Sequence, residues 1–145
     1  SFFADSLAQK TANAAADFAK AADAAIKQFV SDSIQAFTAK CVQRAEAGYS
    51  SATCTTGTLD AADLFKEGVH GTRESTEAAV AKSLEENLAA LGFSHVDVMG
   101  KYMYNNEFGW QRFWKLGASW QRHADSATRS TDNAGTDAAK SCGST

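Results

Sequence analysis

The first 47 residues contain neither Gly nor Pro, and Ala recurs throughout them from Ala4 to Ala47. Gly and Pro are the strongest helix breakers, and Ala is the best helix former. A single helix is therefore expected over residues 3–47. At the usual rise per residue it would be about 65 Å long. A compact domain of 145 residues is only about 40 Å across. A helix that outreaches its own domain leaves a length for something else to cover.

The side chains of this stretch keep a rhythm of eleven. Leu7, Phe18 and Phe29 form one row, and Ile26 and Phe37 a second. Ala8, Ala19, Val30 and Cys41 form a third, and Phe3, Ala14, Ala25 and Ala36 a fourth. Eleven residues close three helical turns almost without drift, so each row runs nearly straight. Ser6, Gln9, Lys10, Asn13, Asp17, Lys20, Lys27, Gln28, Ser31 and Gln35 make the opposite, polar stripe. The small residues of the apolar face let another helix approach closely, and the Phe rings fill gaps at intervals. A core helix of a bundle, a coiled assembly of copies and a helix lying on a lipid or granule surface all use this pattern. Bases and acids balance over the first fifty residues, which disfavours anionic membranes. Ser31-Asp32-Ser33 could cap a fresh start before Ile34.

Downstream, Gly48 suits the helix end, and residues 49–57 read as a loop. A short helix is expected from Leu59 to Val69, capped by Thr58. A second runs from Ser75 or Thr76 to Leu91, with Ala78, Ala81, Leu84, Leu88 and Leu91 as its apolar stripe and Gly92 closing it. A third is expected over residues 95–104. The alternation of Val96, Val98, Tyr102 and Tyr104 offers a strand instead, with residues 49–56 as its only foreseeable partner. The last helix is expected from Glu107 to Ala124. Trp110, Phe113, Trp114, Gly117 and Trp120 fall on one face of it, flanked by Arg112 and Arg122. The fold class expected is thus all-α: a helical bundle in one domain over residues 1–124. A Ser/Thr/Gly-rich tail follows over 125–145, tethered by a partner or by Cys142.

Residues 75–92, followed by Val96-Asp97, resemble a helix-to-strand passage of the aldo-keto reductase family. That family's (β/α)8 barrel takes about 250 residues. Its histidine after the strand is absent here, where Gly100-Lys101-Tyr102 stands. The resemblance therefore carries no activity, cofactor or residue role to this chain.

Composition narrows the function. Pro is absent, against about 5% in ordinary proteins, which favours helices over turn-rich sheets. The net charge is −3 and no basic block occurs, so no nucleic-acid partner is expected. No apolar run is long enough to cross a membrane; contact with a membrane surface is left open by the long helix alone. An initial Ser in place of Met, together with three Cys, leans toward an organelle or an extracytoplasmic compartment. No C-x-x-C spacing or paired His calls for a metal. His70, His95 and His123 read as cap or surface residues, and Glu74, Glu77, Glu85 and Glu86 as a solvated acidic face. No catalytic residue, metal or cofactor is called for. A disulfide between Cys41 and Cys54 would clip the loop to the long helix, and one between Cys54 and Cys142 would tether the tail; the first is favoured.

The expected role is a non-catalytic subunit of a larger assembly with other protein subunits, as a hetero- or homo-oligomer. It would pack through Phe18, Phe29 and Phe37 of the long helix and Trp110, Phe113, Trp114 and Trp120 of the aromatic helix. The alternatives are a helical module for an apolar ligand or pigment and an amphipathic coat on lipid or granules.

Overall fold

A computed structural model describes residues 2–121. Its first element is the long helix, α1, from Phe2 to Glu46. It is continuous through Ser31-Asp32-Ser33; Ser33 is buried and starts no new helix. Gly48 ends it with φ +96°. Tyr49 N–H donates to Arg44 O and Gly48 N–H to Ala45 O, both at 3.0 Å. This paired closure needs a left-handed residue at the turn, which Gly adopts without steric cost.

The rest of the chain departs from the all-α expectation. Strand β1 (Ser51–Thr55) lies where a loop was expected. The expected helix from Leu59 to Val69 shrinks to a 3-10 turn, Ala61–Asp63, capped by Asp60. Helix α2 runs from Arg73 to Ala89. Strands β2 (His95–Asn105) and β3 (Gly109–Ser119) replace the two expected C-terminal helices. Residues 120 and 121 lie outside any helix or strand; Arg122, His123, Cys142 and the tail lie outside the described residues.

The sheet order is β1-β3-β2, with β3 antiparallel to both neighbours. Strands β1 and β2 are therefore parallel, joined through α2 and split by β3, an arrangement known as a split βαβ unit. Both helices pack on one face of the sheet. The core joins Val30, Phe37 and Cys41 of α1 to Val80, Leu84 and Leu88 of α2. Ala52 and Cys54 of β1 and Trp114, Leu116 and Ala118 of β3 complete it. Each fully buried large side chain of this set contributes about 1.5 to 3 kcal/mol.

The strand assignment of β3 has a clear cause. Trp110, Trp114 and Trp120 are separated by even numbers of residues. With Arg112, Leu116 and Ala118 they complete an unbroken alternation on one sheet face. Aromatic residues suit a half-buried pleated surface better than a helix. The turn adds to this: Asn105 Oδ1 accepts from Glu107 N–H at 2.7 Å and Phe108 N–H at 3.1 Å, and Gly109 follows with φ +76°. That turn reverses the chain and pairs Asn105 with Gly109.

Arg44, buried near the end of α1, ties the helix to the sheet. Its Nε donates to Ser51 O at 2.9 Å, and its guanidinium lies 3.8 Å from the Tyr49 ring centroid. Cys54 is disulfide-bonded, whereas Cys41 is a buried free thiol. The favoured Cys41–Cys54 clip is therefore not formed: Cys41 faces the apolar core as a small hydrophobe, and burial pushes its thiol up to about 11.

Candidate interaction surfaces

The seven aromatic residues singled out for interaction do not form one surface. Phe37 and Trp114 are core residues, at 0% and 1% exposure. Phe29 is half-buried with its ring edge on Trp114, 5.7 Å between centroids. Trp120 is half-buried and packs on Phe93, which itself meets Phe37. Phe18 is half-buried beside His70 at 5.9 Å. Phe113 points to the opposite sheet face, since neighbouring strand residues alternate. Trp110 is 59% exposed. An aromatic stripe on a helix is thus replaced by a core, a rim and one exposed ring.

Two surfaces are left uncovered. The first is the start of α1. Residues 2–14 are all exposed, with Phe2 at 97%, Phe3 at 75% and Leu7 at 46%. Burial begins with half-buried Ala15 and Phe18 and is first complete at Ala22. About 20 Å of helix therefore projects past the sheet with its apolar row in solvent.

The second surface is the β2–β3 hairpin where it meets the start of α2. Thr72 caps α2: its hydroxyl accepts from Ser75 N–H at 3.0 Å, while Ser75 Oγ accepts from Thr72 N–H at 2.9 Å. This reciprocal cap fixes the first turn and sets Arg73 and Glu77 one turn apart. Glu77 is buried, not part of a solvated acidic face as expected. Its Oε1 accepts from Tyr102 Oη at 2.8 Å, and its Oε2 accepts from Arg73 Nε at 3.3 Å. Arg112 Nε lies 3.7 Å from Oε1 as an ion pair. Glu74, Glu85 and Glu86 do stand in solvent. The position of Glu77 was readable, because Val80, Ala81, Leu84 and Leu88 follow it at i+3, i+4, i+7 and i+11 on the inward stripe.

The sheet register brings the other partners in. Tyr102 stands opposite Arg112, and Tyr104 opposite Trp110. The Arg112 guanidinium lies 4.3 Å from the Tyr102 ring centroid. It reaches that place across Gly100, where a Cβ would come within 2.7 Å of its Cζ. Trp110 meets Tyr104 edge-on at 5.4 Å, and its carbonyl accepts from Arg73 Nη2 at 2.9 Å. The hydrogen bond to Glu77 holds the Tyr102 phenol above its ordinary range, with desolvation and the carboxylate charge adding to it and the two arginines opposing. Arg73, Tyr102 and Trp110 line an open cavity of about 390 Å³.

Among the described residues no group of His, Cys, Asp and Glu is placed to hold a metal ion, and no helix is long and apolar enough to cross a membrane. Set against family models, curated proteins and solved structures, the chain matches none.

Proposed function

We propose that this protein is a non-catalytic interaction subunit that docks through the projecting start of α1 onto another protein helix. The observation that carries this is the exposure of residues 2–14 in an unbroken helix. A free helix of about thirteen residues is marginal in water, and Phe2, Phe3 and Leu7 leave apolar surface unburied. Ala4, Ala8 and Ala15 around them let a second backbone approach closely. Asp5, Lys10 and Asp17 beside this face give it no excess of positive charge, so a protein surface fits better than an anionic lipid one.

The structure also moves the test. Asp at Phe18 or Phe29 would disturb the packing on His70 and Trp114 before it disturbed any complex. Phe3→Asp and Leu7→Asp touch only the projecting end. The measurement is the mass of the native particle by light scattering, wild type against Leu7→Asp. A mass well above 15.4 kDa that falls in the variant supports the proposal. A bare particle of the chain's own mass, or an assembly indifferent to both substitutions, would overturn it. Flotation with vesicles would move the case to a surface coat.

A further inference from the structure

The hairpin surface has a chemistry that docking by α1 does not use. Two arginines face one buried carboxylate, so the cluster of Arg73, Arg112 and Glu77 retains one unbalanced positive charge. Arg73 uses Nε on Glu77 and one Nη2 hydrogen on the Trp110 carbonyl. A guanidinium has five N–H donors, so about three remain on Arg73. The Arg112 side chain makes no hydrogen bond within the described residues: its Nε is buried without one, and its contacts are the ion pair and the ring faces of Tyr102 and Trp114.

Beside these unspent donors stand two rings that a soluble domain would ordinarily cover. Tyr102 is 50% and Trp110 59% exposed, yet neither is loosely held. Tyr102 is fixed by Glu77 at its hydroxyl and by Arg112 on its face. The Trp110 ring meets Tyr104 edge-on, and the Trp110 backbone carbonyl is held by Arg73. The Tyr102 ring and the Trp110 backbone are thus set in place without a ligand, which lowers the ordering cost of binding one. The open, mostly apolar depression of about 390 Å³ that Arg73, Tyr102 and Trp110 line has the volume of a small-molecule site. Planar cations and aromatic faces recognise a planar anion with an aromatic body: the carboxylate takes the N–H fork, and the ring system lies on the indole.

We infer that this cavity binds a small aromatic carboxylate, held by the guanidinium of Arg73 and stacked on Trp110, with the one unbalanced positive charge of the Arg73–Arg112–Glu77 cluster favouring the anion. The site shares no residue with the projecting stretch 2–14, so each proposal can fail alone.

The test uses the full chain and two probes of the same shape, naphthoate and its neutral alcohol naphthylmethanol. Binding is followed by the indole N–H resonance of Trp110 in NMR spectra. Naphthoate should saturate that resonance, leave the buried Trp114 resonance nearly still, and bind about tenfold more tightly than the alcohol, as one charge-assisted contact implies. Because Trp110→Ala removes the reporting resonance, variants are compared by calorimetry. Trp110→Ala should weaken naphthoate by tenfold or more. Arg112→Lys keeps the charge but not the planar stack and should cost less. Circular dichroism of each variant checks that the sheet is retained. No saturable shift at Trp110, equal affinity for acid and alcohol, or full affinity in folded Trp110→Ala would each overturn the inference. A protein partner captured on the same hairpin in place of naphthoate would overturn it as well.

Discussion

Residues 2–14 and residues 30–44 belong to one helix and share one rhythm, yet they lead different lives. The later stretch puts Val30, Ser33, Phe37, Lys40, Cys41 and Arg44 out of solvent. The earlier one puts nothing out of solvent. Following single rows makes the contrast plain. Leu7 is exposed, Phe18 and Phe29 are half-buried, and Lys40 is buried. Ala8 is exposed, Ala19 half-buried, and Val30 and Cys41 buried. An amphipathic repeat fixes which side of a helix faces a partner. It does not fix where along the helix that partner begins. Here the sheet and α2 supply the cover for the later stretch and leave residues 2–14 in solvent.

Substitutions along α1 can break or sharpen that contrast. The largest effect is expected at Phe37→Ala, which should lower unfolding free energy by about 3 to 5 kcal/mol in denaturant titrations. Arg44→Ala removes the bond to Ser51 O and the stack on Tyr49, and should cost about 2 kcal/mol. Gly48→Ala forces a Cβ onto a residue at φ +96°, at about 1 kcal/mol. Leu7→Ala should change the stability of the isolated chain by less than about 0.5 kcal/mol, and under the proposed docking it lowers the mass of the native particle. If Leu7→Ala proved as costly to the isolated chain as Phe37→Ala, the projecting end would be packed in solution and the contrast would fail.

The anchored half also carries a pH signature. The Cys41 thiol is raised from 9.0 to about 11 in the folded protein, so the folded state holds its proton more tightly than the unfolded one. Its contribution is full below pH 9.0 and is lost as pH rises towards about 11. Tyr102, also raised, adds a loss of the same sign. Stability measured across that window should fall, and Cys41→Ala should flatten the part due to the thiol. Alkylation of Cys41 in the native protein should be far slower than in denaturant.

The sequence was most legible where structure is local. The bounds of α1 and its closing glycine follow from propensity, caps and period, and so does α2, although the cap expected at Ser75 or Thr76 is Thr72 and the helix runs from Arg73 to Ala89. The sheet was not legible in the same way, because its reasons lie elsewhere in the chain. Residues 51–55 look like a loop until β3 supplies Leu116 and Ala118 opposite Cys54 and Ala52. Trp110 and Trp114 fit a helical and an alternating pattern equally, and only the pairing with β2 decides between them. The alternation of Val96, Val98, Tyr102 and Tyr104 was the signal for β2, against the helix expected there. Glu77 was misread through its charge, although its spacing placed it on the inward stripe.

The central place of β3 governs the order of events during synthesis. Strands β1 and β2 have no bonds to each other and meet only through β3, which is the last of the three to be made. A nascent chain can wind α1 and α2 as soon as they leave the ribosome, since helices need only near neighbours. It cannot begin its sheet until residues 109–119 have followed, pairing with β2 across the tight turn and taking β1 on their other edge. The core faces of both helices have no sheet to cover them until then, and that interval is the one in which a growing chain is most exposed to aggregation.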